Sequence, residues 1–303
     1  MLNKKEHWRT LLNLCRDITN LRRGCSMPYL SLTTWSLHRE LGPLQWTYWN
    51  EEKKAQSTRI EEQPENITLL DLPMELANQK FRSLEVCHFH FPSTEPDYLF
   101  QLKEAFDNSG VTFHCLLVDY GDISNEDSVR RNSDIEYIKT WIDIAATVGA
   151  KSVRVVAGEA NPDNKRAIEL AKESLNQLVN YAEPAGVRVV TENFKPLAST
   201  QENCMELVNS YDGQIGLTVD FGNFQSTEKY QSIQALMPFA ESIHAKANYD
   251  LEGNVDEDEY RKSLDLVAES GYNGPITLVY DGPGNLWDGI NRLKSVVESY
   301  TLK

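Results

Sequence analysis

The segment from Val187 to Asp281 decides the fold, because it carries four short runs of one kind: VRVVTEN (187–193), IGLTVD (215–220), SIHAK (242–246) and ITLVYD (276–281). Each is apolar and β-branched, as a buried parallel strand must be, and each carries or runs into a polar or ionisable residue. Helix-like segments separate them. Strands that alternate with helices and end in chemistry at one end describe a (β/α)8 barrel with its site at the C-terminal mouth.

The alternation continues outward from that segment. Upstream, strands are predicted at Met27–Thr33, Leu84–His88, Thr112–Val118 and Ser152–Val156. Between them run helices from Asp71-Leu72-Pro73 to about Lys80, over Pro96–Gly110, over about Asp127–Val148, and from Asn161-Pro162 to near Gly186. Downstream, one helix is capped by Ser199 or Thr200, and others cover about Ser226–Phe239, Asp256–Ser270 and Leu286–Tyr300. Gly110, Gly149, Gly186 and Gly271 each fall where a left-handed residue would end a helix and turn the chain back to a strand. Neither G-x-x-x-x-G-K-S/T nor G-x-G-x-x-G occurs, so a Walker or Rossmann phosphate site is unsupported.

Two segments lie outside the repeat. Residues 5–22 read as a helix with Trp8, Leu11, Leu12, Cys15 and Ile18 on one side, which divides the chain into an N-terminal extension (1–26) and a single barrel (27–303). Residues 38–68 form a long polar stretch, with Trp46, Tyr48 and Trp49 near its start. A connection of that length without structure of its own is usually functional or disordered. Its aromatics would sit over the mouth, where Trp46 can stack on a sugar ring or exclude water; a satellite cluster that pins the loop is the plainer alternative.

Composition narrows the function. The chain has 303 residues, 41% hydrophobic and 25% charged, and a formal charge of -15 from 30 basic and 45 acidic residues. That balance argues against general affinity for nucleic acid or an anionic membrane. The five cysteines are scattered with no C-x-x-C pair, and Cys87 and Cys115 sit in apolar runs as small hydrophobes, so a reduced, cytoplasmic protein is expected. No signal peptide and no apolar run of about 18 residues is recognisable.

Parity sorts the site candidates, since side chains alternate along a strand. His244 and Lys246 share a face with Ser242; an inward ammonium needs anions nearby, and Glu192 and Asp220 would supply them. Glu192, Asp220 and His244 make an oxygen-and-nitrogen set suited to one divalent ion, Mn²⁺, Co²⁺, Mg²⁺ or Zn²⁺. A charged network at the rim without metal accounts for the same residues. Asp119 and Glu159 follow strands three and four and open at the same mouth, as substrate contacts or as solvated loop carboxylates. His90, the imidazole of His88-Phe89-His90 nearest the mouth, reads either as a substrate contact or as a packed loop histidine. Glu85, if inward, needs a partner such as Arg154, and His114 reads as a satisfied core group.

Taken in order, Glu192-Asn193, Gly216-Leu217-Thr218-Val219-Asp220, Ile243-His244-Ala245-Lys246 and Gly271-Tyr272-Asn273-Gly274-Pro275 resemble the xylose isomerase-like barrels, the superfamily of sugar phosphate isomerases/epimerases and family 2 AP endonucleases. Leu84-Glu85-Val86 and Leu30–Leu37 fit its first two strands, so the resemblance covers about residues 28 to 300. It implies a metal held by Glu, Asp, His and Glu from strands five to eight, and proton transfer through an enediolate. Carried over, Glu192 is a ligand and acid/base, Asp220 and His244 are ligands, and Lys246 stabilises developing negative charge or holds a substrate oxygen. Two positions depart from the pattern. Val279 stands where the last glutamate belongs, with Asp281 of the same parity about 6–7 Å further along the strand. Asn223 stands where a histidine is frequent and can hydrogen-bond a hydroxyl but not titrate. A relocated acid/base would be Asp281, Asp119, Glu159 or Lys246.

Two functions therefore compete. One is a metal-dependent isomerase or epimerase, or a related lyase or dehydratase, acting on an unphosphorylated polyol or keto-sugar. The other is a degenerate barrel that binds carbohydrate without turnover. An AP endonuclease would need a histidine-rich multi-zinc cluster and a basic groove, which six histidines and a -15 charge do not provide. Oligomeric state, including a homo-oligomer, stays open.

Overall fold

The computed structural model describes residues 27–210, 213–224 and 228–301; the extension expected over residues 5–22 lies outside them. The strands are β1 (Tyr29–Thr33), β2 (Leu44–Asn50), β3 (Ala55–Glu61), β4 (Ser83–Cys87), β5 (Thr112–Val118), β6 (Ser152–Val155), β7 (Arg188–Glu192), β8 (Gly216–Asp220), β9 (Ala240–Lys246) and β10 (Pro275–Val279). The helices are α1 (Leu72–Asn78), α2 (Pro96–Ser109), α3 (Ser128–Val148), α4 (Lys165–Ala182), α5 (Gln201–Asn209), α6 (Lys229–Leu236), α7 (Glu257–Glu269) and α8 (Leu286–Val297). Strands β1 and β4–β10 close into a parallel barrel in the order β1-β10-β9-β8-β7-β6-β5-β4. The chain thus forms the (β/α)8 barrel that its strand runs predict.

Register places the chemistry. Asp220 pairs with His244, Glu192 with Thr218, and Val279 with Lys246, so the ends of β7–β10 stand level at one mouth. Alternation then divides each strand. Leu30, Leu32, Val86, Leu116, Val189, Leu217, Val219 and Ile243 face outward into the main apolar core, which the helices cover. Burying each such side chain contributes roughly 1.5–3 kcal/mol. The opposite faces fill the barrel and its mouth.

Local chemistry sets the helix ends. Asp127 accepts from Val129 N at 2.9 Å and starts α3; Gly110, Gly149, Gly186 and Gly271 all take positive φ (71–77°) at the helix-to-strand turns. Between the two candidate caps, Thr200 accepts from Asn203 N and begins α5. The fourth helix starts later than expected. Asn161–Asn164 forms a turn, with Asn164 N donating to Asn161 O at 2.9 Å, and Asn164 then caps Lys165–Ala182.

The 38–68 stretch is corrected: it is an antiparallel β2–β3 hairpin with Leu44 opposite Glu61 and Asn50 opposite Ala55. It is strapped to α3 by Thr47–Tyr137 (2.8 Å) and by Gln56 Nε2 donating to Ser133 Oγ and Asp134 Oδ1 (3.2 and 3.0 Å). Trp46 turns toward the mouth. Trp49 lies under the Arg130 guanidinium and Tyr48 is exposed, so the three aromatics do not act together. No helix of the described residues is long and apolar enough to cross a membrane.

Candidate metal centre at the barrel mouth

A pocket of about 280 Å³ opens where the strands end. Every barrel strand contributes to it: Thr33, Cys87, Leu117, Arg154, Glu192, Asp220, His244 with Lys246, and Val279, in chain order. Trp35, Trp46 and Phe89 pack on one another as an aromatic wall, with Trp46 and Phe89 at 4.4 Å between ring centroids, while Phe194 lines the pocket under the Arg154 and Lys195 charges. Charged groups occupy the other side.

On that side Glu192, Asp220 and His244 converge, each offering one donor atom, all within 4.8 Å of one another and all buried. His244 Nδ1 lies 3.5 Å from Glu192 Oε1 and 3.6 Å from Asp220 Oδ2. Two strand-end contacts hold the carboxylates. Asn193 Nδ2 donates to Asp220 O (2.9 Å) and its Oδ1 accepts from Asp220 N (2.7 Å), which ties β7 to β8. Asp220 Oδ1 accepts from the backbone of Gly222 and Asn223 (2.6 and 3.1 Å), leaving Oδ2 turned to His244. Gly222 lets the Lys246 stem pass close by, since a Cβ there would stand 2.7 Å from Lys246 Cδ.

Electrostatics fit a cation. Burial works against a charge on His244, but Glu85, Glu192 and Asp220 outweigh it and raise the imidazole well above its ordinary range. Three carboxylates around one ring favour positive charge at this point. Glu192 Oε2 is ion-paired with Arg154 Nε at 3.1 Å, which leaves Oε1 turned to His244. The atoms turned to one another, Glu192 Oε1, Asp220 Oδ2 and His244 Nδ1, are two carboxylate oxygens and an imidazole nitrogen, which match the donor preferences of a divalent ion.

The remaining candidates divide. Lys246 does point into the pocket, but its direct partner is Asp281 Oδ2 at 2.5 Å, rather than Glu192 or Asp220. Asn223 Nδ2 donates to Glu192 Oε1 at 3.2 Å and lines the pocket. Asp119 lines it too, paired with Arg154. Val279 is a buried part of the wall. His90 is not: it is buried away from the pocket, with Nδ1 on Thr34 Oγ1 at 2.8 Å, because a short helical turn at His88–His90 carries it behind Phe89. Glu159 stands half-exposed near Lys195 and Arg130, outside the pocket lining.

Glu85 is also corrected. It is inward and fully buried, but its partner is His244 Nε2 at 2.8 Å, while Arg154 serves Asp119 and Glu192. Burial alone would raise the Glu85 carboxyl; the neighbouring imidazole and its hydrogen bond overcome that and bring it to about 2. Sequence reasoning did not assign Trp35, Phe89 or Phe194 to the pocket. Their one signal is adjacency to polar strand ends, which does not tell pocket wall from packing.

The family model for the xylose isomerase-like TIM barrel matches residues 74–296. The chain belongs to that family. Solved structures with the same fold include the IolI protein with a bound zinc atom (19% identity, 91% of this chain and all of that one, TM-score 0.65). A D-tagatose 3-epimerase-like protein is similar as well (18% identity, 90% and 98% covered, TM-score 0.64). So is D-psicose 3-epimerase from Clostridium cellulolyticum H10, solved with D-tagatose (15% identity, 87% and 89% covered, TM-score 0.60). At these identities the likeness is one of fold. Comparison with curated proteins gives no match.

Proposed function

We propose that the protein is a divalent-cation-dependent isomerase or epimerase of a small unphosphorylated sugar or polyol, acting by proton transfer next to a carbonyl. The observation that carries this is the meeting of Glu192, Asp220 and His244 within 4.8 Å, in a pocket whose other side is aromatic. These three residues would hold the cation, which supplies polarisation of a carbonyl or hydroxyl oxygen when bound. Glu192 would take a proton from carbon, and the hydrogen bond from Asn223 to its Oε1 would steady it. Lys246, held against Asp281, faces the same space and donates to an oxygen that gains negative charge through the enediolate. Trp35, Trp46, Phe89 and Phe194 offer faces for the carbon side of a sugar and keep water out.

Val279 supports a second function, a carbohydrate-binding barrel without turnover, because valine neither binds a cation nor moves a proton. Solvent exchange separates the two. Protein loaded with Mn²⁺ is incubated in D₂O with D-tagatose, D-psicose and D-fructose, and carbon-bound deuterium is followed by NMR. Exchange that Glu192→Gln abolishes supports the enzyme. Ligand binding with no exchange above the Glu192→Gln background supports the binding barrel.

A further inference from the structure

Beneath the three candidate ligands lies a closed set of buried hydrogen bonds centred on Glu85. Its Oε1 accepts from Ser242 Oγ at 2.5 Å and from Thr277 Oγ1 at 2.8 Å. Its Oε2 meets His244 Nε2 at 2.8 Å. Glu85, Ser242 and Thr277 are at most 3% exposed, so no water competes for these bonds. The three partners come from β9 and β10, on the far side of β1 from β4, and the carboxylate therefore bridges the barrel interior.

A carboxylate only accepts hydrogen bonds. Nε2 of His244 must then carry a proton, and Nδ1 is the nitrogen left to face Glu192 and Asp220 at 3.5 and 3.6 Å. The ring cannot flip to offer Nε2 without breaking a buried, charge-assisted bond.

We propose that Glu85 is the positioning residue of the cation site: it fixes which nitrogen of His244 coordinates, and it adds a third negative charge where Val279 supplies none. This rests on the proposed cation site and deepens it. Partners of this kind behind a metal-binding histidine typically change affinity by about 10–100-fold.

Cation-free protein is titrated with Co²⁺ in a calorimeter, and ¹⁵N-histidine spectra of the Zn²⁺-loaded protein report which ring nitrogen carries hydrogen. In the wild type His244 is expected as Nε2–H with metal on Nδ1. Glu85→Gln should weaken Co²⁺ about 10-fold or more, because it keeps shape but loses charge. Glu85→Ala should weaken it further and scramble the nitrogen assignment. Ser242→Ala, which leaves the charge and removes one hydrogen bond, should lose a few-fold and keeps the test open if Glu85→Ala does not fold. Folded Glu85 variants that bind Co²⁺ within twofold of wild type, with Nε2–H unchanged, overturn the assignment. A wild type that binds no Co²⁺ overturns the cation site itself, and this inference with it.

Discussion

Val279 stands across the strand register from Lys246, 5% exposed, in the wall of a pocket that already holds two carboxylates and an imidazole. A glutamate there would complete the four-ligand pattern that the family resemblance implies. Val279→Glu is therefore expected to tighten Mn²⁺ at least about 10-fold by calorimetry, while the cation-free protein loses on the order of 1–3 kcal/mol, the cost of a carboxylate in a tight, partly desolvated wall. Unchanged affinity would mean that position 279 lies outside the cation's reach. His88 and His90 make a separate residue-scale prediction. Burial, the largest influence on each, pushes them from 6.5 to about 4 and about 3. Lowered values mean that the unfolded chain takes up protons first. The stability they confer is thus present above pH 6.5 and is lost as pH falls toward 4 and 3, at up to roughly 1.4 kcal/mol per unit for each. Urea melts at pH 7, 5.5 and 4.5 should show this loss, and His90→Asn should flatten it.

Elements differ in how far they could be read from the chain. Parallel strands buried on both faces announce themselves as β-branched runs, and glycine punctuation marked their starts. The β2–β3 hairpin did not, because its pattern is Leu44-Gln45-Trp46-Thr47-Tyr48-Trp49 against a mostly polar, mostly exposed β3. What specifies it is the strap to α3, made of contacts about 80 to 90 residues apart in sequence. The site shows the same limit. Strand ends pointed to Glu192 and Asp220 and parity to His244 and Lys246, and all four line the pocket. Neither could reveal that Glu85 reaches across the barrel to His244, or that a helical turn withdraws His90. Two element-scale outcomes follow. Trp46→Ala removes a pocket face carried by the hairpin alone; sugar affinity should fall several-fold by titration, with the cation affinity unchanged. Gly289 of α8 is packed against the buried ring of Tyr280, where a Cβ would come within 2.1 Å. Gly289→Ala should therefore cost about 1–3 kcal/mol despite alanine's better helix propensity, seen as a lower urea midpoint with an unchanged m-value.

At the scale of the whole molecule, eight strands deliver one side chain or two each to a single opening, and the outer apolar core holds them in register. The acidic balance of the chain, -15 overall, reaches into this opening as Asp119, Glu192, Asp220 and Asp281, countered by Arg154, Lys195 and Lys246. A divalent ion bound only by the folded state should stabilise it by about 2.7 kcal/mol at 100 times its Kd. Metal content and Mn²⁺ titration of the cation-depleted chain test the central claim most directly. One Mn²⁺ per chain is predicted, lost in Asp220→Asn and in His244→Gln while both variants keep the wild-type circular dichroism. No stoichiometric binding, or binding that survives both substitutions, would contradict it.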